Sequence, residues 1–245
     1  MKRNEFKRGL LHGVPICLGY LAVAFGFGIS AKGMGLSFAE IVMISMTNVT
    51  SAGQLAGAPI IAGAGSLIEL ASTQLIINLR YALMSVSLSQ KMDGSVRLAD
   101  RFLIAFVNTD EVFAVSAVQP HGVSRFYMYG LITLPYLGWV AGTALGAIAG
   151  NLLPAIVSTA LGVAIYGMFI AIVVPDAKRH APTAFCVLTA IALSLLFAYT
   201  PGLSSVSFGF VIIICSVLAS AVFAFFAPVT AANSPDASEK GGEEA

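Results

Sequence analysis

Apolar residues in this chain gather into runs of about 20, the length a helix needs to cross the hydrocarbon of a bilayer. Six such runs stand out, at 10–31, 66–90, 126–150, 155–174, 183–199 and 205–227. Two more are broken. Residues 38–64 are interrupted by Thr47-Asn48-Val49-Thr50-Ser51, then by Gly53-Gln54 and Pro59, and residues 98–118 are split by Asn108, Asp110 and Glu111. The pattern predicts an all-α, polytopic membrane bundle over 1–227, with about six full spans and two broken or re-entrant helical segments. The remainder, 228–245, is small, polar and acidic, and its composition predicts a disordered cytoplasmic tail.

Composition agrees with a bilayer as solvent. Of 245 residues, 58% are hydrophobic and 10% charged, against about 25% charged in soluble domains. The formal net charge of +1 provides no basic surface for nucleic acid. Cys17, Cys186 and Cys215 sit far apart in apolar runs, without the spacing of a metal site, and read as small apolar fillers. The charged start, residues 1–8, lacks a small-residue cleavage site before the apolar run continues past Gly28, so the first run reads as a retained helix rather than a signal peptide. No Gly-x-Ser-x-Gly elbow, HExxH, P-loop or dinucleotide fingerprint occurs. No cofactor is expected, and the chain does not read as an enzyme.

Lysine and arginine orient the bundle. If the six runs each cross once and the broken segments return to the side they entered, Lys2, Arg3, Lys7, Arg8, Lys91, Arg97, Arg101, Arg125, Lys178, Arg179 and Lys240 share one side. Lys32 falls opposite and Arg80 within a span. That bias predicts an N-in, C-in topology. The broken segments then enter from opposite sides, 38–64 from outside and 98–118 from the cytoplasm. Discontinuous helices of this kind meet near the midplane in transporters built from inverted repeats, and 46–51 faintly echoes 105–110. Crossing of 38–64 as a pair of helices leaves the same sides and stays open.

The embedded polar residues are the candidate chemistry. A charge at mid-bilayer costs at least about 2.5 kcal/mol, so Asp110 and Glu111 need a partner or a water-filled path. Either Asp110 caps a half-helix and Glu111 lies near the interface, or one of them binds a substrate ammonium or carries a proton. Arg80 sits ten residues from the end of its run, too deep to reach the interface. Glu69 shares its helix face but lies ~16 Å away along the axis, so Asp110 or Glu111 is the natural acceptor. Arg80 is then a structural tie or a fork for a substrate carboxylate. In Thr50-Ser51-Ala52-Gly53-Gln54, small residues and a glycine permit an unwound, ligand-binding backbone as well as a plain kink. Asn48 before it and Asn78 on the facing run complete the candidate set. Gln74, Asn78, Tyr81 and Ser85 form a polar stripe at helical spacing, of the kind that glues helices together in membranes. Gly138, Gly142, Gly146 and Gly150 recur every four residues and allow close approach, either within the chain or to a partner.

Several motifs together carry a resemblance. Gly9…Gly13-Val14-Pro15…Gly19-Tyr20…Ala24-Phe25-Gly26-Phe27-Gly28 is followed by Gly35-Leu36-Ser37…Glu40 and Ala52-Gly53-Gln54. Asn78-Leu79-Arg80-Tyr81 and Thr109-Asp110-Glu111-Val112-Phe113-Ala114 come next. In order, spacing and length, over roughly residues 6–226, the chain resembles the AzlC family, the large subunit of branched-chain amino-acid exporters. The resemblance implies a small AzlD-like membrane subunit as partner, a branched-chain or other small neutral amino acid as substrate for export, and a place in the bacterial cytoplasmic membrane. The embedded acids add the expectation of a secondary, proton-coupled, alternating-access mechanism. A passive facilitator and a membrane scaffold for a partner subunit are the rival readings. Val49-Thr50-Ser51, preceded by Asn48, stand where the family usually has small or aromatic residues, which widens the expected substrates to smaller or more polar amino acids.

Overall fold

The computed structural model describes residues 2–120, 122–152 and 177–226, with isolated positions between 154 and 175. The span expected at 155–174 lies largely outside the described residues, and the tail at 228–245 lies wholly outside them. Among the described residues every regular element is helical, and the sole β feature is a single-residue bridge between Met92 and Val123. The chain divides into two compact units, 1–168 and 169–245.

The first unit is organised around two long helices, α1 (Lys2–Gly33) and α7 (Arg125–Leu152). They run parallel and touch along their whole length, because glycines on each meet backbone on the other. A Cβ at Gly9 would lie 2.1 Å from the Tyr127 carbonyl oxygen, and one at Gly28 would lie 2.3 Å from that of Thr143. In return, Gly130 abuts the Phe6 carbonyl, Gly142 that of Leu21 and Gly146 that of Phe25, with clearances for a Cβ of 2.1, 2.4 and 2.1 Å. The glycine stripe of α7 is therefore spent within the chain, on α1. In lipid, where apolar burial gives no drive to associate, this close packing is what holds two helices together.

Between these helices the chain makes two hairpins of short helices joined by α4 (Leu67–Lys91). α2 (Phe38–Thr47) runs against the direction of α7: Ile41 clusters with Ala147, Ser45 bonds Thr143, and the Met46 carbonyl receives Tyr136. α3 (Ser51–Ala62) turns back, and its Ala58 rejoins the Ile41–Ala147 cluster. α5 (Leu98–Phe106) enters from the opposite end, pairing Asp100 with Tyr129 and then Phe106 with Tyr136. α6 (Asp110–Ala117) returns, and Ser116 reaches Met128. Each broken segment is thus a hairpin that goes back to the end it came from, and the two bends meet at mid-length.

α4 is long enough to span, but four other helices are the ones both long and apolar enough among the described residues: Lys2–Gly33, Arg125–Gly150, Ala181–Tyr199 and Phe208–Phe225. Its hydropathy is lowered by Glu69, Gln74, Asn78 and Arg80. Leu75, Leu79, Leu83 and Val86 form an exposed apolar stripe, while Thr73 is fully buried and Gln74 and Asn78 are partly so. That arrangement, polar inward and apolar outward, suits a helix whose outer solvent is lipid. The second unit contains α8 (Ala181–Tyr199), a 3-10 turn at Leu203–Ser205 and α9 (Phe208–Phe226), packed as an antiparallel pair.

Glycine-to-alanine replacement separates close packing from helix propensity. Gly146→Ala is expected to lower stability by at least about 2 kcal/mol through overpacking, read as loss of thermal stability of the purified protein. Gly19→Ala, which meets nothing within 4 Å, is expected to be neutral or to stabilise by up to about 1 kcal/mol.

Candidate functional site

The first bend is built by local capping chemistry. Ser37 and Glu40 form a capping box that starts α2, the Ser37 hydroxyl accepting from the Glu40 N–H at 3.3 Å and the Glu40 carboxylate from the Ser37 N–H at 2.7 Å. The helix stops where Asn48, Val49 and Thr50 take extended backbone, and the Thr50 hydroxyl then caps α3 by accepting from the Gly53 N–H at 3.4 Å. The Asn48 carbonyl, freed by the bend, receives Trp139 Nε1–H at 3.2 Å and Gln54 Nε2–H at 3.0 Å. Gln54 is fully buried and also donates to Ser45 at 2.7 Å. Its side chain is therefore a brace inside the hairpin. Ser51 opens α3 at the bend and is half-buried.

The second bend, Val107–Thr109, brings the acids to the centre. Thr109, not Asp110, occupies the N-cap position of α6, and it makes no side-chain cap bond. Asp110 is the first helical residue, and its Oδ2 pairs with Arg80 Nη2 at 2.8 Å across from α4. The Arg80 side chain is 55% exposed and that of Asp110 48%. In place of the cap that one reading expected, Asp110 sits one residue further on and pairs with Arg80. Glu111 accepts the Tyr20 hydroxyl from α1 at 2.6 Å, and that hydroxyl also hydrogen-bonds Thr109. Both acids lie in the first turn of α6, where its dipole favours anions. The first turn of α3 carries no acid.

α4 connects the two bends. Gln74 Nε2–H donates to the Gly53 carbonyl at 2.8 Å, an oxygen that can only accept, so Gln74 Oε1 must be the acceptor for Asn48 Nδ2–H and Asn78 Nδ2–H, each at 3.1 Å. One turn on, the Tyr81 hydroxyl lies 3.5 Å from Thr50 Oγ1 and receives Arg80 Nη2–H at 3.0 Å. At the other bend, Asn108 Nδ2–H donates to Ser85 at 3.0 Å. The polar stripe of α4 thus ties both bends, as helix glue does. Thr50, Tyr81, Arg80 and Asp110 form one continuous polar chain from the first bend to the second. A separate cavity of about 330 Å³ between α2, α3 and α4 is lined by Asn48, Gly53, Gln74 and Asn78 together with Ile44, Ile61 and Leu70.

Of the residues expected from sequence, Thr50, Arg80, Asp110 and Glu111 converge at mid-length, Asn48, Gly53 and Asn78 line the neighbouring cavity, and Gln54 points into the hairpin. Tyr20 and Trp139 were not expected there. Each is an aromatic residue in an apolar helix with a polar atom that needs a partner when buried, and that unmet need was their one signal. Chemically, the centre offers N–H groups at the start of α3 and carboxylates at the start of α6, with one fixed cation between them. No group of three or more histidine, cysteine, aspartate or glutamate residues able to hold a metal occurs among the described residues.

Comparison with known proteins gives the same direction. The family described as AzlC protein matches residues 15–153. A protein of Archaeoglobus fulgidus described as an uncharacterized membrane protein is 34% identical over 73% of this chain and 80% of its own length. The inner membrane protein YgaZ of Escherichia coli is 29% identical over 78% of this chain and 80% of its own. The branched-chain amino acid transport protein AzlC of Bacillus subtilis is 24% identical over 57% of this chain and 55% of its own. No solved structure matches the chain.

Gln74 is the most connected of the glue residues. Gln74→Leu is expected to lower stability by about 3 kcal/mol or more, since it strands a carbonyl and two amide donors. Thermal unfolding of the purified protein reads this, with the exposed Leu75→Ala as a near-neutral comparison.

Proposed function

The chain belongs to the AzlC family, and we propose that it is the large subunit of a secondary transporter exporting a small neutral amino acid. Its partner in this reading is a small AzlD-like membrane subunit, and its place the cytoplasmic membrane, with both termini inside. The observation that carries the proposal is the meeting of two hairpins, from opposite ends of the first unit, at a centre that holds exposed charges. Charged groups with open surface at mid-length of such a unit are tolerated where they face a water-filled path. Paired broken segments around that path are the arrangement of transporters with inverted repeats.

The centre matches a zwitterion. The substrate carboxylate lies at the start of α3, near Thr50, Ser51 and Gly53, where the helix dipole favours an anion. The ammonium lies against Glu111 or Asp110. Arg80 holds Asp110 in place, which leaves Glu111 as the carboxylate more open to exchange between substrate and proton. Each hairpin screens the centre from one side, so movement of one and then the other provides alternating access. The name of the Bacillus relative favours a branched-chain side chain, while Asn48, Thr50 and Ser51 extend the range to smaller or more polar ones.

Proteoliposomes with and without the small subunit, loaded with a panel of labelled amino acids, test this reading. Efflux against a gradient, abolished by an uncoupler and lowered at least about 100-fold by Glu111→Gln or Arg80→Met, is the expected result. Wild-type efflux in those variants and in Asp110→Asn contradicts it, and uncoupler-insensitive flux favours a passive facilitator.

A further inference from the structure

Tyr20 and Trp139 link the two bends to each other by a route that does not pass through α4. Tyr20 comes from α1 and Trp139 from α7, the two helices that glycine packing fixes together. Both side chains are buried, at 7% and 2% exposure. Their rings meet edge to face with centroids 5.3 Å apart and planes at 66°. From this pair one polar atom reaches each bend. The Tyr20 hydroxyl touches Thr109 and Glu111 in the second bend, and Trp139 Nε1–H holds the Asn48 carbonyl in the first.

The Tyr20 hydroxyl has one proton and two neighbours able to accept it. While Glu111 is a free carboxylate, it accepts only, so the phenol donates to it and Thr109 donates to the phenol oxygen. When a cation or a proton occupies Glu111, its Oε2 becomes the poorer acceptor, and the phenol proton turns to Thr109. The phenol therefore has two bonded states, set by what Glu111 holds. The edge-to-face ring contact joins this phenol to Trp139, whose Nε1–H holds the Asn48 carbonyl. That carbonyl also receives Gln54, so it is the point where the first hairpin is held to α7 and to itself.

We infer that Tyr20 and Trp139 form a relay through which the state of Glu111 is felt at Asn48, with Tyr20 as a positioning residue of the transport cycle. The cycle itself rests on the transporter reading above, but the relay is measurable without transport. The chain has a single tryptophan, so the fluorescence of the full-length protein in lipid nanodiscs reports Trp139 alone.

The experiment compares acrylamide quenching of Trp139 in four proteins: wild type, Glu111→Gln, Tyr20→Phe and the double variant. Tyr20→Phe keeps the ring and removes the hydroxyl. Glu111→Gln is expected to change the quenching constant about two-fold or more when Tyr20 is present and to leave it unchanged in the Tyr20→Phe background. Thr109→Ala, which removes the second acceptor and leaves both rings, is expected to shrink the response as well. No response in wild type, or an equal response with and without the hydroxyl, overturns the relay. In the efflux assay Tyr20→Phe is expected to lower the maximal rate about ten-fold with KM within about two-fold. Absence of efflux from wild type, with the fluorescence coupling intact, sinks the transporter reading and leaves the relay standing.

Discussion

Backbone-to-backbone contact between α1 and α7 is the constraint on which the rest of the first unit depends. Glycines at 9, 13 and 28 on one helix and at 130, 138, 142 and 146 on the other leave no room for a Cβ, so the two helices sit closer than side chains would allow. The consequence is positional. Tyr20 and Trp139 are brought edge to face, Thr143 is brought to Ser45, and Tyr129 and Tyr136 are presented to the second hairpin. Both hairpins pack on the surface that this close pair presents.

The second constraint is the cost of irregular backbone away from water. The non-helical backbone at 48–50 and 107–109 releases carbonyl and amide groups that lipid cannot satisfy. The chain answers with side chains from the helices around them: Trp139 and Gln54 to the Asn48 carbonyl, Tyr136 to that of Met46, and Gln74 to that of Gly53. Among the described residues, Gln54 Oε1, Thr73 Oγ1, Asn78 Oδ1 and Asn108 Oδ1 are buried and unpartnered. Two of these, on Gln54 and Asn108, belong to amides whose N–H groups hold the bends.

Much of this was legible in the sequence because lipid makes polar residues conspicuous. The two breaks announced themselves as polar runs in apolar segments, and the need of Arg80 for an anion pointed correctly to the acidic pair. Which acid it takes was not legible, since neighbours on a helix point about 100° apart and only the bend at 107–109 decides which one faces α4. Gln54 stood out for the backbone it could free, and that its side chain braces the hairpin was not legible, because its direction depends on how α2 and α3 close. Tyr20 and Trp139 were missed because a lone aromatic in an apolar helix reads as packing. The glycine stripe of α7 was visible as a contact, but its partner on α1 lies more than a hundred residues away in sequence. The polar stripe of α4 read as helix glue, and the structure adds that it reaches both bends.

The central claim is that the bend at the start of α3 opens alternately to the two sides of the membrane. Ser51→Cys, in a chain with Cys17, Cys186 and Cys215 replaced, places a thiol there. Labelling by an impermeant maleimide in vesicles of known orientation is compared with Glu40→Cys and Arg97→Cys, which lie at opposite ends of the first unit. The account predicts that the thiol at 51 reacts from both sides and each of the others from one. Reaction of the thiol at 51 from a single side under all conditions contradicts it.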